Sequence, residues 1–268
     1  RNMKIGIVGC AGRMGRMLIE TVLQTAGAGL AGGCEAAGNS HQGDDLAGLA
    51  GAPPCGLLVT SDIRALFLAA DAVIDFTAPA VTLANAEIAA ETGTALVVGT
   101  TGLDAEQTAA LRVTAEKTVI IQAANFSIGV NLLEGLTRQV AGLLGDDYDI
   151  EIVEMHHKHK VDAPSGTALA LGEAAAAGRR VTLADVAERV RDGHTGARRA
   201  GDIGFATLRG GDVVGDHTVI FAGEGERIEL THKAASRAVF ARGAVRSALW
   251  AEGRAPGFYT MRDVLGFD

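Results

Sequence analysis

Positive charge is in deficit in this chain: 24 Lys and Arg stand against 32 Asp and Glu, a net charge of −8 over 268 residues. Phosphate backbones and anionic lipid surfaces need clustered cations, which argues against a general nucleic-acid or membrane-surface binder. Aromatic residues make up only 4%, with a single Trp at position 250, whereas Gly numbers 36 and hydrophobic residues reach 48%. Small-residue packing of this kind belongs to α/β proteins rather than to disordered or fibrous chains. Cysteine is limited to Cys10, Cys34 and Cys55, an odd number at no metal-ligand spacing, which implies reduced thiols. No run of about 18 apolar residues suggests a membrane span, and no basic-plus-apolar leader precedes Met3. The expectation is a cytoplasmic protein with neither a nucleic-acid nor a membrane partner. An anionic ligand would then need a local basic pocket.

What the chain does contain begins with an apolar run at residues 4–9, followed by Gly9-Cys10-Ala11-Gly12-Arg13-Met14-Gly15 and then by apolar residues at helical spacing (Met14, Met17, Leu18, Val22). Glycines spaced G-x-x-G-x-x-G between a strand and a helix are a variant of the dinucleotide fingerprint. They let the backbone turn tightly and approach a pyrophosphate seated on the helix N-terminus. A plain glycine-rich turn is the alternative. Glu35 ends the next strand, about 20 residues past the last glycine, where such folds place the carboxylate for the ribose hydroxyls. Ala36-Ala37-Gly38-Asn39 brings no arginine for a 2′-phosphate, leaving only Arg13 and Arg16, so NADH is expected in preference to NADPH.

Residues 39–54 read as a loop with at most a short helix. Short strands at 56–59, 72–76, 95–98 and 119–122 then alternate with helices at 63–69, 79–91 and 105–117. That alternation predicts an α/β domain with a Rossmann-type parallel sheet covered on both faces. Ligands in such sheets bind beyond the strand C-termini. Phe76-Thr77, Gly99-Thr100-Thr101-Gly102 and Ala123-Ala124-Asn125-Phe126 all fall there, and together look like a nicotinamide half-site.

A helix at 127–144 leads into a second domain. Residues 149–154 alternate polar and apolar side chains, as a strand that delivers His156-His157-Lys158-His159-Lys160 to its end. Pro164 is expected to stop the strand and Ser165 to cap a helix. Ser165-Gly166-Thr167 would then offer free N–H groups, hydroxyls and a positive dipole end to an anion. A solvated charged turn is the bland alternative. The helical signal covers 168–177 and breaks at Gly178-Arg179-Arg180. Residues 185–200 read as charged surface, with His194-Thr195-Gly196 a minor ligand candidate. Strands at 203–208, 213–222 and 227–233 follow, with Gly210-Gly211-Asp212 as a turn between antiparallel neighbours. The second domain is therefore α+β on a mixed or mainly antiparallel sheet, and a helix from Ser236 packs back on the first. The expected division is 1–126 plus 237–268 for dinucleotide binding and 127–236 for substrate.

The run from Glu154 to Ala168, with His-Lys-Val-Asp-Ala-Pro-Ser-Gly-Thr at 159–167, closely resembles the signature of the bacterial dihydrodipicolinate reductase family, also called 4-hydroxy-tetrahydrodipicolinate reductases. The likeness extends through Gly9–Gly15, Asp75-Phe76-Thr77, 99–102, 123–127, 193–196, 204–206 and 231–233. It implies hydride transfer from NAD(P)H to C4 of a cyclic imine dicarboxylate after loss of the 4-hydroxyl, giving tetrahydrodipicolinate for diaminopimelate and lysine biosynthesis. By the same resemblance His156 is the general acid and Lys160 the cation that binds and polarises the substrate. His157, Ser165, Gly166 and Thr167 contact the substrate. The cofactor half-sites are Gly9, Cys10, Ala11, Gly12, Arg13, Met14, Gly15, Glu35, Gly99, Thr100, Thr101, Ala123, Ala124, Asn125 and Phe126. Ala36 departs from members that carry an arginine there. A homotetramer, joined through the second domains' sheets, is also implied, with no metal.

Three other readings compete. His157 and His159, with His156 or His194, could ligate zinc, although Lys158 and Lys160 would repel it. A nucleotide-sensing protein would use the first domain as a redox gauge and the second as a partner surface, and would need no proton donor. Another two-domain dehydrogenase is compatible with the fold. Cys10 is expected to fill a tight loop rather than to act as a redox switch. The 151–167 cluster is half of a site, so closure about a hinge near Ser127 and Ser236 is expected.

Overall fold

The computed structural model describes residues 2–267 and divides into two compact units, Gly129–Arg237 and the remainder of the chain. The first part runs β1 (Met3–Val8), α1 (Arg13–Gln24), β2 (Ala28–Cys34), β3 (Val59–Thr60), α2 (Ile63–Ala69), β4 (Ala72–Asp75), α3 (Pro79–Thr92), β5 (Ala95–Val98), α4 (Ala105–Thr114) and β6 (Val119–Gln122). It continues with α5 (Ile128–Leu144), β7 (Asp149–His156), α6 (Gly166–Arg179), α7 (Leu183–Val186), β8 (Ala187–Glu188), β9 (Ile203–Arg209), β10 (Gly215–Ala222) and β11 (Arg227–Ala234). The last elements are α8 (Ala238–Trp250), β12 (Gly257–Tyr259) and α9 (Met261–Leu265). No helix among the described residues is long and apolar enough to cross a membrane.

In the first unit seven strands form one sheet in the order β12-β6-β5-β4-β1-β2-β3, every pairing parallel. Reversal of strand order at β1 and β4 is the doubly wound arrangement, as expected from the alternating strands and helices. Successive side chains leave opposite faces of a strand. Ile74, Val97 and Ile121 accordingly join Leu18, Ile19 and Val245 in one core, while Val73, Leu96 and Ile120 join Leu66, Phe67 and Leu111 in the other. Helix boundaries follow local chemistry. Asp62 caps α2 by accepting from the Ala65 N–H at 2.9 Å, and Asp104 and Gln107 form a reciprocal capping box on α4.

The second unit is a mixed sheet, β11-β10-β7-β9-β8. β10 is antiparallel to both β11 and β7, whereas β9 runs parallel to β7 and β8. Burial alternates along β7, so Ile150, Ile152, Glu154 and His156 all face the side covered by α6.

Several expectations are corrected. β7 continues to His156, so Pro164 does not end it. The strand gives way because His157 and Lys158 donate instead to the carbonyls of Val213 and Gly211. β9 and β10 are not a hairpin across Gly210-Gly211-Asp212, because β7 lies between them. α6, by contrast, ends within Gly178-Arg179-Arg180 as expected, at Arg179 with Arg180 (φ 59°) as its C-cap; Gly178 itself marks a close helix contact, since a Cβ there would sit 2.3 Å from the Arg138 carbonyl of α5. The strand expected at 56–59 shrinks to Val59–Thr60, since the Asp45 carboxylate takes the N–H groups of Cys55 and Gly56 into a loop. β12 extends the first sheet beyond β6, and no strand was expected there.

Candidate active site

The glycine loop joins β1 to α1. Gly9 has φ 68°, and its N–H, with that of Cys10, donates to the Cys34 carbonyl of β2. A Cβ on Gly15 would lie 2.2 Å from the Gly9 carbonyl oxygen, so the helix can approach the strand this closely only with glycine there. Gly12 is the N-cap of α1, with no side-chain cap and no acidic residue in the first turn. That leaves the amide end of a 12-residue helix, with Arg13 exposed and Met14 half-buried, as a cradle suited to a pyrophosphate. Glu35 closes the other side: its Oε1 accepts from the Ala11 N–H at 2.7 Å and its Oε2 from the Asn39 amide at 3.2 Å. Cys10 is fully buried, and burial pushes its thiol up to about 12, followed by the nearby Glu35 charge. It is packing, not a reactive thiolate.

The neighbouring strand ends are knotted together by Asp75, at the end of β4. Its buried carboxylate accepts from the Thr77 N–H (2.9 Å) and hydroxyl (2.6 Å), the Asn85 amide (2.9 Å) and the Thr100 hydroxyl (3.4 Å). The Thr100 side chain therefore faces inward, while Thr101 and Ala124 are exposed and Ala123 and Asn125 half-buried. Gly99 is buried against the Phe76 ring, which lies 5.7 Å from that of Phe126. These termini lie beyond the C-terminal ends of adjacent strands, as does the glycine loop, so the first unit gathers the expected dinucleotide positions on one edge of its sheet.

In the second unit the register of the sheet builds a buried polar cluster. Glu154 pairs with His217 across to β10, and His156 with Arg209 across to β9. Glu154, 1% exposed at its side chain, accepts from Arg209 Nη1 at 2.8 Å and Nη2 at 3.0 Å, and from the Ser165 N–H at 2.9 Å. Its Oε2 lies 2.6 Å from His156 Nδ1. Burial opposes ionisation, yet Arg209, His156 and the Ser165 N–H together hold this carboxyl below the usual range. The same charge-assisted pairing keeps Arg209 more firmly protonated. Arg209 also donates to the carbonyls of Leu208 and Asp162, tying the loop after β7 to β9. His217 Nε2 lies 3.1 Å from Ser165 Oγ, and its ring stands edge-on to His156 with centroids 5.0 Å apart. Burial, reinforced by His156, pushes His217 down to about 4, so it is neutral at physiological pH.

Ser165 caps α6 by accepting from the Ala168 N–H. Its own N–H is taken by Glu154, which corrects the expectation of a free amide there; Gly166, the first residue of α6, is exposed. Lys160 Nζ is 2.7 Å from Asp162 Oδ1, and this pair, with burial opposing, holds the Asp162 carboxyl low. His157 is half-buried with its N–H bonded to the Val213 carbonyl. The His157 and His159 rings sit 6.3 Å apart, and no group of three His, Cys, Asp or Glu among the described residues is placed to hold a metal ion. His194 lies in an exposed stretch away from named strands. Arg209, Glu154 and His217 were not singled out from the sequence. An acidic residue at an inward position of an alternating strand was the available signal for Glu154; nothing local marked its partners.

Residues 3–126 match the family model "Dihydrodipicolinate reductase, N-terminus", and residues 129–265 the model "Dihydrodipicolinate reductase, C-terminus". The chain is 57% identical over 265 residues to a 4-hydroxy-tetrahydrodipicolinate reductase of Rhodopseudomonas palustris (strain BisA53), covering 99% of this chain and 97% of that one. It is 55% identical over 268 residues to the enzyme of the same name from Parvibaculum lavamentivorans, covering 100% and 99%. In fold it resembles a dipicolinate-bound dihydrodipicolinate reductase from Paenisporosarcina sp. TG-14, with a TM-score of 0.75, 24% identity and 97% and 98% coverage. With both family models matched in succession along almost its whole length, the chain belongs to the dihydrodipicolinate reductase family.

Proposed function

We infer that this chain reduces dehydrated 4-hydroxy-tetrahydrodipicolinate, a cyclic imine dicarboxylate, to tetrahydrodipicolinate in diaminopimelate and lysine biosynthesis. The observation that carries this reading is that one buried carboxylate, Glu154, holds both the His156 ring and the N-terminus of α6. A proton donor and an anion-binding helix end are thereby set side by side. A bound nicotinamide nucleotide supplies the hydride. The residues for it are Gly9 to Gly15, Glu35, Gly99 to Thr101 and Ala123 to Phe126. His156 delivers the proton from Nε2, the nitrogen turned away from Glu154. Lys160 exchanges Asp162 for the anionic substrate and draws electron density from the imine. Gly166 and Thr167 hold a carboxylate at the dipole end of α6, bordered by Ser165 and His157.

NADH is the preferred reductant in this proposal. Glu35 presents a carboxylate where a 2′-phosphate would have to lie. Arg16 is spent on the carbonyls of Ala11 and Leu49 and on His41, so it is no ready phosphate partner. With enzymatically generated substrate, NADH oxidation at 340 nm should exceed NADPH oxidation in kcat/KM. Oxidation of neither cofactor would overturn the activity, and a higher kcat/KM with NADPH would overturn the preference alone.

The chain also assembles as a homotetramer in this proposal. Val153, Met155, Ala206, Leu208 and Ile220 lie on the face of the second sheet opposite the α6 side, and Leu208 is 44% exposed. This face also carries charged and polar residues such as Glu151, Thr218 and Thr231, and its apolar side chains suit burial against another copy. Light scattering should give a mass near four chains, and Leu208→Asp should reduce it. A wild-type monomer would contradict the assembly.

A further inference from the structure

We propose that Glu154, with Arg209 as its counter-ion, is the positioning residue that fixes the tautomer of His156, keeping Nδ1 protonated and Nε2 turned to the reaction. This rests on the reading of His156 as proton donor. Each hydrogen bond that Glu154 makes has a determined direction except one. The Arg209 guanidinium and the Ser165 amide can only donate, and together they supply three donors to the two Glu154 oxygens. An ionised carboxylate so held can only accept, so the 2.6 Å contact with His156 requires a proton on Nδ1. In the neutral ring Nε2 is then the basic nitrogen, and in the charged ring both nitrogens carry protons and Nε2 is the one free to give its own. A Cβ at Gly215 would stand 3.0 Å from Nε2, so the absence of a side chain there keeps that nitrogen clear.

Arg209 has a second effect. Its bidentate grip fixes the plane of the Glu154 carboxylate, so the Oε2 that meets His156 Nδ1 is held in one place. The groups at the ring are Glu154 on its own strand, Arg209 from β9 through the shared Glu154 carboxylate, and His217 from β10, while Lys160 pairs with Asp162 in the following loop. His217 is neutral and contributes shape rather than charge.

Glu154→Gln separates orientation from mere packing. Its single oxygen would be claimed at the Oε1 position by Ser165 and Arg209 Nη2, which turns the amide NH₂ toward His156 and reverses the preferred tautomer. The expected result is a kcat at least ~10-fold lower with little change in KM, and an alkaline limb of the pH profile moved to lower pH. Glu154→Asp, which keeps a carboxylate, should recover part of the loss. Because Glu154→Gln also places two donors face to face at Arg209, the wild-type protein supplies an independent readout. Nitrogen-15 NMR of the His156 ring, identified by its absence in His156→Gln, should show the neutral form protonated on Nδ1. A ring protonated on Nε2, or a folded Glu154→Gln with wild-type kcat and pH limb, would overturn the positioning role. If His156→Gln itself turns over normally, the proton-donor assignment falls instead.

Discussion

Replacing His156 with Gln should lower kcat by about 10²- to 10⁴-fold, the range lost when a positioned general acid is removed, while leaving the dissociation constant for NADH near its wild-type value. The two halves of this expectation come from different units of the molecule. The glycine cradle, Glu35 and the Asp75 knot are built within the first unit and do not draw on the second. In the proposed function the proton comes from His156, whose ring is one-tenth exposed and anchored through Nδ1. Gln cannot titrate near neutrality, although it can still hydrogen-bond Glu154, so folding should be preserved. Turnover under saturating substrate, together with fluorescence titration of NADH, separates chemistry from binding. A kcat within twofold of wild type would show that the proton comes from solvent or another group. A parallel loss of NADH affinity would show that the substitution acts through structure.

How far the sequence could be read depended on how local each cause was. Continuous apolar runs separated by amphipathic helices made the parallel sheet legible, because each strand of a doubly wound sheet is buried on both faces by its own neighbours in the chain. Ser165 as the cap of α6 was legible for the same reason: a hydroxyl three residues before Ala168 is a local arrangement. The order of the second sheet was not. Gly210-Gly211-Asp212 has the composition of a hairpin turn, yet β7 enters between the strands it joins, and only long-range pairing decides that. Gly178-Arg179-Arg180 was legible as the end of α6, but nothing local showed that Gly178 lets α6 meet the Arg138 carbonyl of α5. In the site, His156 and Lys160 were proposed from their chemistry and resemblance. Arg209 lies 55 residues from Glu154, at a strand end with no motif around it, and only the parallel register of β7 and β9 brings the two together.

That long-range pair carries the second large effect. Arg209→Met should destabilise the protein by about 3–5 kcal/mol at pH 7, the usual consequence of removing one partner of a buried ion pair. Met retains much of the apolar stem, so the loss reports the charge that remains behind on Glu154. The sign of its pH dependence follows from the depressed carboxyl. In the wild type, Arg209, His156 and the Ser165 amide hold Glu154 below its usual range against the opposing effect of burial. Such a group contributes stability that is fully present above the unfolded carboxyl's pKa, about 4.3, and is lost as pH falls through the lower folded value. Arg209→Met removes most of that contribution, so the gap between variant and wild type is widest at neutral pH and narrows as Glu154 becomes protonated. Denaturant titrations followed by circular dichroism at pH 7 and pH 4 measure both quantities. A gap under about 1 kcal/mol at pH 7 would mean that water replaces the guanidinium without penalty. A gap that does not narrow toward pH 4 would mean that Arg209 stabilises through its contacts with the Leu208 and Asp162 carbonyls rather than through Glu154.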